Sequence, residues 1–340
     1  MLSVDWSDVQ EVLIIHHNDM DGHFSAYIAK EYAKNEHNIN DIQYIEVNYS
    51  SDRLKSLYNK NLTNSMIIIV DYSPSIEDIA SFFCHNKTIK TRHIIWIDHH
   101  ITAIEKFSRL YPKFYNVPGL RTVDKICAAE LTYLYLYKNI QNVSRDPFKP
   151  SYINSSNKEN IRYDIPEEMV NLATVGDYDT FRVNTKEMHT FNLYFRTYEP
   201  EFELNEETDN FFKYMLNSDN FDDIIQIGQT MKDYVDSNNK AILRKCGFAG
   251  VLRKFEDISC ICVNTHMNST IFDSVKDDYE VGIVFSYDGN KRRMFYTIYR
   301  LNMNPDRFIS CAKIAESYGG GGHERAAGFS TSGVLEIKPL

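Results

Sequence analysis

Three stretches of this chain concentrate side chains able to hold divalent cations. They are His17-Asn18-Asp19-Met20-Asp21-Gly22, the lone Asp71 that ends Ile68-Ile69-Val70, and Asp98-His99-His100. In extended backbone, residues two apart face the same way, so His17, Asp19 and Asp21 are expected on one face and His16 on the other. Gly22 then permits the turn that follows. Carboxylates gathered this closely repel one another unless a cation screens them, so a pair of metal ions suits the set. On this reading Asp71 bridges the ions, and His99 and Asp177 complete the second. Mixed carboxylate and imidazole ligation puts Mn²⁺ first among two divalent ions, with Mg²⁺ or Co²⁺ as alternatives and Zn²⁺ behind them. Taken alone, an Asp-x-Asp pair is usually a turn or a helix cap. Their joint placement at strand ends points to a site.

Residues 11–16, 42–47, 66–70 and 93–97 are short β-branched or aliphatic runs and read as strands. Between them, Phe24, Tyr27, Ile28 and Tyr32 recur at helical spacing, as do Ile76, Ile79, Ala80 and Phe83. Alternating strands and helices imply a parallel sheet covered on both faces, with ligands beyond the carboxyl ends of the strands. Asp124 is expected to cap a helix through Ala128, Leu131 and Leu134. Residues 142–166 read as a long polar loop, 167–174 as a short helix leading to Asp177, and 221–243 as a long helix. The aromatic and acidic stretch 186–220 gives no assignment. Further strands are expected at 258–263, 281–287 and 294–301, then a helix at 307–318 running into Gly319-Gly320-Gly321-Gly322-His323. The fold class is therefore α/β. A metal-bearing domain occupies 1–185, a connector 186–245, and a smaller α/β substrate-binding domain 246–340, with a cleft between the two domains.

The 340 residues are 43% hydrophobic and 25% charged, an ordinary globular composition that excludes disorder over most of the chain. No apolar run approaches the ~20 residues of a membrane span, and the first residues are acidic where a leader would be basic. A soluble intracellular protein is expected, with no membrane partner. The net charge of −10 argues against stable binding of long duplexes, whose affinity comes from phosphate neutralisation. It favours short or small phosphate substrates. None of the six cysteines forms a CxxC pair, so reduced, packed thiols are expected. The chain is compatible with a monomer or a homodimer.

Together these motifs resemble the DHH phosphoesterase superfamily, in its nanoRNase and RecJ-like branches. His17 to Gly22 looks like the first motif, Asp71 the second, Asp98-His99-His100 the triplet that names the family, and Thr174-Val175-Gly176-Asp177 the fourth. Gly320-Gly321-Gly322-His323 with Ala326-Ala327-Gly328-Phe329 is similar to the glycine signature of the associated C-terminal domain. In some branches the first-motif histidine stands four residues before the first aspartate, where this chain has Ile15. The resemblance implies a first metal on Asp19 and His17, and a second on Asp21, His99 and Asp177. Asp71 would bridge them, Asp98 would orient an imidazole, and His100 would contact the attacked phosphate. It also implies a substrate phosphate held by Arg300, Gly320, Gly321, Gly322 and His323. The activity implied is phosphodiester hydrolysis by metal-activated water, acting on short oligonucleotides to give mononucleotides. Alternatives are linear or cyclic dinucleotides, 3′-phosphoadenosine 5′-phosphate, and single strands cut exonucleolytically. A nucleotide-binding module without catalysis would be expected to lack a metal ligand, and every acidic ligand is present.

Overall fold

The computed structural model describes residues 4–48, 53–57, 60–74, 93–100, 117–121, 126–142, 152–153, 170–180, 185–252, 254–301, 309–335 and 337–339. The chain divides into two compact units, Met1–Gln229 and Thr230–Leu340.

The first unit opens with β1 (Glu11–His17), α1 (Met20–His37), β2 (Asp41–Val47), β3 (Ser65–Val70) and β4 (Ile94–Ile97). These strands form one parallel sheet in the order β2-β1-β3-β4. Pleating sends alternate side chains to opposite faces. Val12, Ile14, Met66, Ile68, Ile95 and Ile97 pack on Ala26, Ala29 and Ala33 of α1 and on Leu131 and Leu134 of α2 (Ala128–Lys138). Leu13, Ile15, Ile67 and Trp96 pack the other way, against Leu54, Leu57 and Leu62. Helix α2 is capped by Cys127, in a box with Glu130; the cap expected at Asp124 lies outside the described residues, as does the helix expected through Ile76 to Phe83.

Within the stretch expected as a loop, Gln141–Asn142 and Tyr152–Ile153 pair antiparallel as β5 and β6; most of the remainder lies outside the described residues. Three helices follow: α3 (Val170–Thr180), α4 (Lys186–Tyr198) and α5 (Glu206–Leu216). The last two occupy the stretch that sequence left unassigned. Its aromatics turn inward, where Phe191, Phe195 and Phe212 surround Phe24 and Tyr27 of α1.

Helix α6 (Phe221–Cys246) contains the division between the units. The second unit is a seven-stranded mixed sheet made of β7 (Gly247–Leu252), β8 (Phe255–Asn264), β9 (Val281–Asp288), β10 (Arg293–Arg300), β11 (Gly321–Gly322), β12 (Ala326–Thr331) and β13 (Ile337–Pro339). Their order is β11-β12-β10-β9-β8-β7-β13, antiparallel except between β8 and β9. The helix expected at 307–318 is confined to α7 (Cys311–Glu316) among the described residues. The glycine run that follows does not stay a loop, because Gly321 and Gly322 pair with Gly328 and Ala327 at the sheet edge. Only glycine fits at 322: φ is 144°, and a Cβ would lie 2.7 Å from the Ala327 Cα. No helix among the described residues is long and apolar enough to cross a membrane.

Candidate metal centre

The chain leaves β1 for β2 on one side and returns to β3 on the other. Between β1 and β3 the strand order reverses, and at such a point the carboxyl ends of neighbouring strands open a crevice. His17 ends β1, Asp71 follows β3 and Asp98 follows β4, all at one level, since His16 pairs with Val70 and Val70 with Ile97. The Asp71 amide donates to the Ile97 carbonyl at 3.0 Å, and Asp71 itself takes a left-handed conformation at φ 53°. For a residue with a Cβ that conformation costs roughly 1–2 kcal/mol.

The Asp71 carboxylate faces two ways. Oδ2 lies 3.9 Å from His17 Nδ1, while Oδ1 lies 3.2 Å from His99 Nε2 and 3.7 Å from His100 Nδ1. His17 Nδ1 is in turn 2.6 Å from Asp19 Oδ2. Two groups of potential ligands result, His17–Asp19–Asp71 and Asp71–His99–His100, with Asp71 common to both. Its side chain is 1% exposed, and among the described residues neither oxygen makes a hydrogen bond. A buried carboxylate with unanswered oxygens among imidazoles is the donor set a divalent cation fits.

Asp21 is placed differently from the sequence expectation. The extended alternation stops at Asp19, which caps α1 by accepting from the Gly22 amide at 3.0 Å, so Asp21 sits in the first helical turn. Its oxygens accept from the Ala128 and Ala129 amides at 2.8 and 2.7 Å, at the positive end of α2. Oδ2 remains 3.4 Å from His99 Nε2, and each carboxylate oxygen has a second lone pair for a cation. Gly22 lets α1 start directly against β1, because a Cβ there would lie 2.2 Å from the His17 carbonyl oxygen. Asp177 lies on α3, and its side chain is outside the described part of the structure.

Asp98 is enclosed by donors. Oδ1 accepts from the His99 and His100 amides at 2.8 and 3.2 Å and from His100 Nδ1 at 2.8 Å, while Oδ2 accepts from Ser73. Sequence reading missed Ser73 and also the segment 117–121, which runs beside β4. There Asp98 bridges in parallel to Arg121, whose guanidinium donates to the Trp96 and Val117 carbonyls at 2.7 and 3.0 Å. Only the Val117-Pro118-Gly119 turn signal hinted at it. His16 points to the opposite face, fully buried beside Tyr44 and Phe202.

The electrostatics follow burial and partners. Burial pushes the Asp71 carboxyl well above the usual carboxylate range, and the charges of Asp21, Asp19 and Asp98 push it the same way. Burial also opposes ionisation of Asp19, yet the hydrogen bond and charge of His17 hold its carboxyl well below that range. At Asp98 burial is again overcome, here by His100 and Ser73, and the carboxyl is lowered.

In the second unit, the Arg300 amide donates to the Arg325 carbonyl at 2.9 Å and its guanidinium reaches the Ile309 carbonyl at 3.4 Å. Gly320 packs against Gly328 and Phe329, Gly321 and Gly322 form β11, and the exposed His323 donates its amide to Ala326 at 2.8 Å. The five residues expected to hold a phosphate thus lie along the end of the sheet where β10 finishes and β11 pairs with β12.

Residues 11–176, just under half of the chain, match the family described as DHH family, N-terminal domain. Comparison with curated proteins gives no match. Among solved structures, the chain is similar to the DHH domain of a member of the s1p family of ribosomal proteins, at 13% identity over 98% of this chain and 84% of that one (TM-score 0.55). It is similar to PggH, a pGpG-specific phosphodiesterase from Vibrio cholerae, at 13% identity over 95% and 92% (TM-score 0.49). It also aligns with RecJ of Thermus thermophilus in complex with Mn²⁺, at 12% identity over 94% of this chain and 49% of that one (TM-score 0.43). At these identities the likeness is one of fold.

Proposed function

We propose that this chain, which belongs to the DHH family of phosphoesterases through residues 11–176, is a metal-dependent phosphodiesterase that cuts short oligonucleotides to mononucleotides. The observation that carries the reading is the Asp71 carboxylate, buried without a hydrogen bond among the described residues and turned by one oxygen toward His17 and by the other toward His99 and His100. His17, Asp19 and Asp71 would hold one divalent ion, with Mn²⁺ the best fit to mixed ligands; Asp71, Asp21, His99 and Asp177 would hold the other. Bound ions would neutralise the carboxylates and acidify a water for in-line attack on phosphorus.

The chain's own groups do the positioning. Asp98, ionised among its donors, accepts the Nδ1 proton of His100 and so fixes the tautomer and the ring orientation. His100 Nε2 is thereby turned away from Asp98, and in the protonated ring it donates to a non-bridging phosphate oxygen. Arg300 and the Gly320–His323 stretch would hold a second phosphate. The net charge of −10 supports a short substrate, since a long strand needs a basic track to neutralise its phosphates.

The test is a substrate panel with Mn²⁺: labelled dinucleotides, longer single strands, cyclic dinucleotides and 3′-phosphoadenosine 5′-phosphate. The dinucleotide should release mononucleotides fastest, and Asp71→Asn should be inactive while keeping a cooperative melt. Faster cleavage of long single strands overturns the substrate assignment. Undiminished turnover by Asp71→Asn overturns the mechanism.

A further inference from the structure

The second unit carries a cavity of about 710 Å³ that the metal centre does not use. It lies on the sheet face opposite α7. Strand β10 presents Arg293, Phe295, Thr297 and Tyr299 on that face, and the paired β9 residues are Asp288, Ser286, Val284 and Gly282. The floor is therefore a half-buried ring, Phe295, flanked by two small hydroxyl side chains, Ser286 and Thr297. The wall is the polar turn after β8, from Thr265 to Asn268.

At the rim, the hairpin from β9 to β10 places the exposed Lys291 among the lining residues, and the exposed Arg292 and Arg293 follow it in the chain without lining the cavity. Lys291 Nζ stands 5.2 Å above the Phe295 ring. The carboxylate at this rim is engaged in the hairpin itself: Asp288 Oδ1 accepts from the Asn290 and Lys291 amides at 2.9 and 3.0 Å, and its Oδ2 lies 3.9 Å from Lys291 Nζ. Arg293 is tied to β12 through the Ser330 carbonyl at 3.0 Å.

A purely apolar ligand would leave the hydroxyl and amide groups of floor and wall unanswered, and a bare anion would leave the ring uncovered. A planar heterocycle carrying a phosphate satisfies both, with ring on ring and anion at the cationic rim. In a chain of net charge −10, the flexible Lys291 beside an aromatic floor supplies the charge complementarity; its ammonium lies over the Phe295 ring and moves to the anion when a base takes that face. We propose that this cavity binds one nucleotide unit, its base over Phe295 and its phosphate at Lys291. None of its lining residues is among those assigned to metal or to the second phosphate, so it holds or fails independently of the phosphodiesterase reading.

The experiment is calorimetric titration of the full chain with 5′-AMP in EDTA, which removes metal-dependent binding. Saturable binding is expected, weakened tenfold or more by Lys291→Glu, which is exposed and should leave the fold intact. Phe295→Leu, which keeps the apolar bulk but loses the stacking face, should weaken it similarly. Asp71→Asn should bind as the wild type does. The proposal is overturned by the absence of saturable binding, by affinity untouched in both cavity variants, or by loss of binding in Asp71→Asn. Equal affinity for adenosine overturns the phosphate assignment. A concentration-dependent dimer abolished by Lys291→Glu, with no nucleotide binding, assigns the face to a second copy instead.

Discussion

Replacing Gly22 by alanine should disable the metal centre without touching a ligand. The added Cβ would lie 2.2 Å from the His17 carbonyl oxygen, 2.8 Å from its carbon and 3.0 Å from its nitrogen. Ordinary contact begins near 3.4 Å, so the end of β1 and the start of α1 must part by roughly 1 Å, because a packed interior offers no slack. That separation carries His17 one way and Asp19 and Asp21 the other, while Asp71 stays anchored to β4 through the Ile97 carbonyl. A misplacement of about 1 Å in a catalytic constellation typically costs about 100-fold in rate. Overpacking of this kind costs about 1–3 kcal/mol, and each kcal/mol lowers Tm by about 2–4 °C in a unit of this size. The assay pairs initial rates on a labelled dinucleotide with thermal melts, both with and without Mn²⁺. The expected result is a rate down by about 100-fold, a lower Tm and a smaller Mn²⁺-induced rise in Tm. A variant matching the wild type in all three would refute the claim that this contact sets the ligand geometry.

Three other outcomes are expected. Asp98→Asn puts an amide where four donors converge and frees the His100 ring to turn, so turnover should fall about 10–100-fold. Its metal content by mass spectrometry should match the wild type, and unchanged turnover would remove the orienting role. Asp71→Asn removes a carboxyl whose ionisation is disfavoured by burial and by its acidic neighbours, so at neutral pH the metal-free variant should melt above the metal-free wild type. Mn²⁺ at 100 times its Kd should stabilise the wild type by about 2.7 kcal/mol and leave the variant unmoved; an equal rise in both would contradict a shared ligand. His16, fully buried, has its pKa lowered from 6.5 to about 3, by burial first and then by the charge of His23. The unfolded chain takes up this proton near neutrality while the folded chain refuses it, so stability is lost as pH falls from 6.5 towards 3. The loss is about 2 kcal/mol at pH 5. In urea melts, His16→Leu should lose less stability than the wild type between pH 7 and pH 5, and parallel losses would count against the assignment.

The parallel sheet was legible because β1, β3 and β4 are buried on both faces and must be apolar without interruption. The three stretches that carry the candidate ligands were legible because they terminate those runs. The local geometry of the first was not. Alternation put Asp19 and Asp21 on one face, but Asp19 is equally good as a helix cap, and the helix starts one residue later. The amides that hold Asp21 belong to Ala128 and Ala129, more than a hundred residues away, and no local signal names them. Helices α4 and α5 escaped for a different reason. Each buries one stripe, with Met188, Phe191 and Phe195 on α4 and Thr208, Phe212 and Met215 on α5, but further rings such as Tyr194, Tyr198 and Phe211 stand off it and blur the pattern read from residue types. The glycine run read as a loop because chain flexibility and close sheet packing both demand glycine.

Asp71 joins these levels physically. A residue in the left-handed region after a strand would be less costly as glycine or asparagine, and a buried position would be less costly without a charge. Here both costs fall on one aspartate, and three further carboxylates disfavour its ionisation. The surroundings hold it there regardless: β3 is paired on both sides, and the Asp71 amide is fixed to Ile97. A structural carboxylate would instead be given donors, as Asp98 is by Ser73, two amides and an imidazole. Two carboxylates one strand apart, both buried, have received opposite treatment. The one with donors can orient but has little room to ligate, and the one without a hydrogen bond among the described residues would be stabilised by cations meeting both of its oxygens. On the proposed reading, metal binding and local stability of this strand end would be one equilibrium, which is why the Mn²⁺ response of the Asp71→Asn melt tests the chemistry as directly as a rate does.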